Sequence, residues 1–172
     1  MLDQLDAWAT EEIPLPESRV PSRLFLQDYG PDFTQGFITH EPPRVDTTLE
    51  YAVLIPSVDA DGNNIPGLCT PDITVPLATY TGWKLRAEGY GSQAMYSVVG
   101  SYIPFAATAA ERQDRRDARP SLSERYRSKA DYVSRVAFAV RELTEQGLLL
   151  AEDGDRYIEA AIKADILAPS EG

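Results

Sequence analysis

The placement of proline constrains this chain more than any other feature. Of its 13 prolines, all but Pro169 fall at or before Pro120. A proline fixes φ and lacks a backbone N–H, so it breaks helix interiors and leaves gaps in strand ladders. The first two thirds must therefore be short extended pieces and turns, and only the last third has room for long helices. The fold class expected is α+β. An irregular Pro-rich N-terminal third precedes short, Pro-interrupted strands with a hairpin, and a helical pair closes the chain.

Local patterns fill in this outline. Leu2, Leu5 and Trp8 recur at helical spacing, with Asp3 and Asp6 between them, which predicts a short helix ending before Pro14. A helix this short is marginal alone, so its apolar stripe is expected to dock. From Ile13 to Arg44 prolines cut every helix, with extended pieces expected at Leu24–Leu26 and Phe37–Thr39. Phe25, Tyr29, Phe33 and Phe37 give this segment a wrapping rather than a linker character. Tyr51–Val58 is the best strand. Asp61-Gly62-Asn63-Asn64 is hairpin turn chemistry, since Gly and Asn tolerate positive φ. A return strand is expected near Ile65–Leu68, and another extended stretch at Ile73–Leu77.

The last third reads differently. Ser121-Leu-Ser-Glu124 has capping-box form, and Ser128-Lys-Ala-Asp131 opens a longer helix. Tyr132, Val136, Val140 and Leu143 then recur at i, i+4, i+8 and i+11, one apolar face. Gly147 is placed as a C-cap. A final helix is expected from Ala151 to Asp165, with Tyr157, Ile158, Ala161 and Ile162 facing inward. The organisation expected is a single domain over 1–172. Its parts are a short helix and wrapping segment (1–50), a β region (51–105) and a helical region (106–172).

At 172 residues such a domain hides roughly 70% of its unfolded surface, enough for a core. The net charge of −11 opposes binding to nucleic acid or to an anionic membrane. The one basic cluster, Arg112, Arg115, Arg116 and Arg119, is interleaved with Asp114 and Asp117, and reads as a solvated helix face. Cys69 is the only cysteine, so no intrachain disulfide can form, which fits a reducing compartment. No apolar run approaches the roughly 20 residues that span a bilayer. The start Met1-Leu-Asp-Gln-Leu-Asp-Ala-Trp8 is acidic and unlike a secretory leader. With Met1 as the natural start, the address expected is the cytoplasm.

The search for chemistry yields little. A nucleophile elbow needs Gly-x-Ser-x-Gly, because small flanking residues permit its sharp strand-to-helix turn. The sequence has none, and Gly89-Tyr90-Gly91-Ser92-Gln93 reads as a loop. His40 is the only histidine, so any Ser-His or Cys-His mechanism within the chain must use it. Its place before Pro42 and Pro43 favours a structural or surface role. Cys69 reads as a small buried residue, with no basic group beside it to lower its pKa. One His and one Cys cannot build a structural zinc cluster. Asp59-x-Asp61-Gly62-Asn63 invites comparison with a calcium loop, yet position twelve is Thr70 rather than Glu, which favours a plain hairpin turn. No dinucleotide or P-loop motif occurs. No catalytic residue, metal site or cofactor is therefore assigned.

Val75-Pro-Leu-Ala-Thr-Tyr-Thr-Gly-Trp83 is the remaining candidate. Thr79, Tyr80, Thr81 and Trp83 crowd hydroxyls, a phenol and an indole beside a glycine. Such residues can line a substrate pocket, because aromatic rings give apolar walls with a polar handle. They can equally pack a bent strand against a partner domain.

This run and several others carry a resemblance. Leu54-Ile-Pro-Ser-Val-Asp-Ala-Asp-Gly-Asn63, the 75–83 run, Leu85-Arg86 and Gly100-Ser-Tyr-Ile-Pro-Phe105 resemble the C-terminal region of the bacterial "alpha/beta hydrolase domain" proteins, a family of serine esterases. Arg119-Pro120-Ser121, Glu124-Arg125-Tyr126, the closing helical pair, Leu5-Asp6-Ala7-Trp8 and Pro16-x-Ser18-Arg19 are similar too. The resemblance implies that the serine elbow and the acid–histidine part of the triad lie upstream of this region. It places no catalytic histidine at His40. The function expected is thus a C-terminal accessory segment of a serine hydrolase, inactive alone, with a catalytic core in the same or a separate chain as partner. The alternative is a stand-alone binding or assembly module that self-associates through its apolar surface.

Overall fold

The computed structural model describes residues 2–19, 23–25, 54–56, 58–85, 95–96 and 98–167. Helix α1 (Leu2–Glu11) opens the chain and strand β1 (Arg23–Phe25) follows. Strand β2 (Leu54–Pro56), helix α2 (Pro71–Thr74) and strands β3 (Ala78–Thr81), β4 (Lys84–Leu85), β5 (Met95–Tyr96) and β6 (Ser101–Pro104) form the middle. Helices α3 (Ala109–Asp114), α4 (Leu122–Arg125), α5 (Lys129–Glu145) and α6 (Ala151–Lys163) close it. The α+β class read from proline placement is the one observed. His40, Ser92 and the extended piece at Phe37–Thr39 lie outside the described residues.

The strands make three antiparallel pairs, β1–β2, β3–β6 and β4–β5. In β3–β6, Thr79 faces Ile103 and Thr81 faces Ser101. In β4–β5, Lys84 faces Tyr96. The two pairs follow one another along the same two stretches of chain, as one interrupted ribbon. Gly100 sits at the interruption, where a Cβ would collide with the Thr81 carbonyl.

The middle of the chain departs from the sequence reading in two places. The turn at Asp59–Asn63 forms, with Gly62 at φ 81° and Asp59 N–H bonded to the Asn63 carbonyl at 2.8 Å. It closes only with an isolated bridge between Val58 and Asn64, and 65–68 is not a strand. β2 takes β1 as its partner instead, with Leu24 opposite Ile55. The stretch expected to be extended at Ile73–Leu77 begins inside α2. Pro71 occupies the first turn of that helix, where a missing N–H costs nothing.

The helical third follows its sequence signals closely. Glu124 reaches back to cap α4, accepting from the Ser121 N–H at 2.8 Å and from its hydroxyl at 2.6 Å. Ser128 Oγ accepts from the Asp131 N–H at 3.2 Å to start α5. At the other end Gly147 has φ +67°. Its N–H bonds the Thr144 carbonyl at 3.0 Å, and the Leu148 N–H bonds the Leu143 carbonyl at 2.8 Å, which is a Schellman closure. α6 then packs back on α5 through Gly154, where a Cβ would stand 2.6 Å from Val140 Cγ1. Glu152 and Asp153 in its first turn and Lys163 in its last complement the helix dipole.

One core joins these parts. Tyr132, Val136, Ala139 and Val140 of α5 are buried with Ala161 of α6, Leu122 of α4, Tyr126, and Val75 and Phe105 from the ends of α2 and β6. Leu143, the last member of the predicted stripe, is buried as well. Tyr157 and Ile158 pack against this core, whereas Ile162, expected to face inward, is 55% exposed in the last turn of α6, which ends at Lys163, two residues after Ala161. The stripe of α1 also differs from expectation. Leu5 and Trp8 are exposed, and the ties of α1 and its exit to the body are polar. Gln4 donates to the Gly147 carbonyl, and Arg19 donates to Gln146 Oε1. Among the described residues no helix is long and apolar enough to cross a membrane.

The α4 cap supplies a pH-dependent expectation. Hydrogen bonds from the Ser121 side chain and backbone, and then from Arg112, hold the Glu124 carboxyl down at about 2 against an ordinary 4.5. A depressed folded pKa stabilises above the unfolded value and loses its effect as pH falls through the folded one. Glu124→Gln should therefore be less stable than the wild type at neutral pH. The difference should shrink between about pH 4.5 and about pH 2, as thermal melts of both proteins across that range would register.

Candidate functional site

β3 is the centre of the arrangement. The chain enters it from α2 and Pro76, whose carbonyl is held by the Tyr126 hydroxyl at 2.7 Å. Burial pushes that phenol up to about 12, so it stays a hydrogen-bond donor throughout the physiological range. The outer edge of β3 is closed by a side chain rather than by another strand. Asn63, fully buried, donates from Nδ2 to the Ala78 carbonyl at 3.2 Å. Its Oδ1 accepts from the Tyr80 N–H at 2.7 Å. An amide carries both donor and acceptor, so it can satisfy two strand groups at once. Asn63 is itself fixed by the turn, where Asp59 Oδ1 accepts from the Asn63 and Asp61 N–H groups, each at 2.9 Å. Burial raises the Asp59 carboxyl above its ordinary value despite these two bonds.

Asn63→Ala should cost about 2 kcal/mol, since it leaves one strand donor and one acceptor buried without partners. Asn63→Asp should cost at least as much, because a carboxylate cannot donate to Ala78. Urea unfolding midpoints of the two variants would check both.

Thr79 connects β3 to an ionic lattice. Its side chain is 1% exposed, donates to the Asp61 carbonyl and accepts from Arg119 Nη1 at 2.8 Å. Arg119, 5% exposed, spends all five of its N–H donors inside the protein. Nε lies 2.9 Å and Nη2 2.6 Å from the Asp117 carboxylate, Nη1 also reaches the Ile103 carbonyl at 3.0 Å, and Nη2 the Pro104 carbonyl at 3.4 Å. Burial alone would raise the Asp117 carboxyl, but the bonds from Arg119 outweigh it and the net shift is downward.

Arg125 mirrors this arrangement from the other side. Its guanidinium forms a two-pronged pair with the Asp61 carboxylate, with Nη1 to Oδ2 at 2.8 Å, and its Nε donates to the Pro120 carbonyl at 2.9 Å. Both guanidinium groups lie against Phe105, with Cζ of Arg125 at 4.0 Å and of Arg119 at 5.0 Å from the ring centroid. The chain of contacts Asp117–Arg119–Thr79–Asp61–Arg125 thus ties the 59–63 turn, the β3–β6 ribbon and α4 around one buried ring.

One sequence expectation is revised here. Arg119 is no part of a solvated helix face, because α3 ends at Asp114 and the chain turns through Arg116 (φ 53°) to bury Asp117 and Arg119 together. The rest of the basic cluster is at the surface, with Arg112 on Glu124 and Arg115 on Glu111. The Asp59–Asn63 segment is a structural turn whose Asp61 carboxylate is paired with Arg125.

The four residues singled out by sequence fall at different depths. Thr79 is buried in the lattice, while Tyr80, Thr81 and Trp83 are half-buried. Tyr80 meets Tyr102 edge to face at 5.5 Å between centroids, and burial raises its phenol pKa. Thr81 Oγ1 and Ser101 Oγ both donate to the Trp83 carbonyl, at 2.5 and 3.0 Å. The Thr81 and Ser101 hydroxyls thus serve the backbone of the ribbon, and that of Thr79 serves the turn and Arg119. Cys69 is half-buried with Sγ 3.8 Å from the Pro66 carbonyl.

Asp61, Phe105, Asp117, Arg119 and Arg125 were the residues that spacing could not single out. Asp61, Phe105, Arg119 and Arg125 fall in the runs that carry the resemblance, with Arg119 before α4 and Arg125 its last residue, while Asp117 falls in none. Those residues and the ribbon now stand together in space, and comparison with known proteins covers the same ground. No curated protein and no solved structure matches the chain. A family model described as "Alpha/beta hydrolase domain" matches residues 1–159, which include the turn, the ribbon, the ionic lattice, α5 and most of α6. The chain therefore belongs to the alpha/beta hydrolase domain family.

Proposed function

We propose that this chain acts as an accessory part of an ester hydrolase of its family, working in the cytoplasm and supporting a catalytic core rather than supplying the nucleophile. The core would belong to the same polypeptide or to a separate chain, and the half-buried Tyr80, Thr81 and Trp83 would stand near its substrate mouth. One observation carries this reading. The polar side chains gathered around the ribbon and α4 are spent on structure: Thr79 and Asp117 on Arg119, Asp61 on Arg125, and Glu124 on Ser121 and Arg112. The sequence supports it further, with no Gly-x-Ser-x-Gly and with His40 as its only histidine.

Purified chain incubated with p-nitrophenyl acetate or butyrate should release nitrophenol at the buffer rate. Saturable turnover that survives His40→Ala would contradict the proposal, because another nucleophile–base pair would then exist.

A second reading, a self-associating assembly module, is favoured by the apolar side chains left at the surface of the ribbon and α5. Val98 is 77%, Tyr102 59% and Phe138 56% exposed. Sedimentation across a hundredfold range of concentration separates the two. A concentration-dependent dimer selects self-association, and a compact monomer removes it.

A further inference from the structure

We draw no further inference here: the strongest candidate, the shallow groove of about 400 Å³ between α2 and α5 lined by Val75, Arg135, Phe138 and Ala139, carries none because nothing in the structure shows what covers it.

Discussion

Arg119→Ala should lose about 3–5 kcal/mol of stability, because it strands the Asp117 carboxylate in the interior without its partner. Against a total of about 5–15 kcal/mol for a domain, that loss leaves the folded state marginal. Thr79 and the Ile103 carbonyl lose a donor in the same step, so the damage should spread into the β3–β6 ribbon. Hydrogen exchange at 78–81 and 101–104 should accelerate more than exchange within α5. Arg119→Lys keeps the charge but offers three donors from one point instead of five in a planar fork, so it should recover only part of the loss. Pairing Arg119→Met with Asp117→Leu should be milder than Arg119→Ala alone, since no buried charge is then left unpaired. An Arg119→Ala protein with the wild-type urea midpoint would show that the pair is open to water.

Phe105→Ala should be comparably severe, at about 3–5 kcal/mol, the range for removing a large buried aromatic ring. The side chain is 4% exposed and stands against two guanidinium groups. Its removal therefore opens a void lined by two charges as well as by carbon. Phe105→Leu separates the contributions. It retains most of the apolar volume and gives up the ring face, so the residual loss reports the cation–π part, on the order of 1 kcal/mol. A double-mutant cycle between Phe105→Leu and Arg125→Met should show positive coupling, because the guanidinium and ring are in contact. Full additivity would mean that the stacking contributes nothing. Added salt offers a second contrast. It should weaken the exposed Lys163–Glu159 pair and leave the buried Arg119–Asp117 pair nearly unchanged.

What could be read from the sequence was what is encoded within about four residues. Ser121 with Glu124, Ser128 with Asp131 and Gly147 after Glu145 fix the helix ends through their own neighbours, and the stripe from Tyr132 to Leu143 fixes the buried face of α5. Ambiguous residues misled where a single property had two uses. Proline suits a helix's first turn as well as a strand's edge, so Pro71 starts α2 just before the stretch expected to be extended at Ile73–Leu77.

Partners distant in the chain were beyond reach. β2 pairs with β1, about thirty positions earlier, rather than with the stretch just after its turn. The same holds for the lattice. Thr79 with Arg119 and Asp61 with Arg125 are 40 and 64 residues apart, and no periodicity links them. An arginine within a run of alternating charge reads as solvated, and only the turn at Arg116 carries Arg119 indoors. The 75–83 run was legible as apolar and crowded. Its division into a buried anchor at Thr79 and a half-buried Tyr80 packed on Tyr102 required the register of β3 against β6.

The proposed supporting role predicts that no serine of the folded chain is activated as a nucleophile. Treatment with a fluorophosphonate, which captures any serine activated as a nucleophile, followed by intact-mass measurement tests it most directly. The mass should stay that of the 172-residue chain, while a catalytically competent serine esterase treated in parallel gains one phosphonyl group. Stoichiometric labelling of a single serine in the folded chain, lost on unfolding, would contradict it.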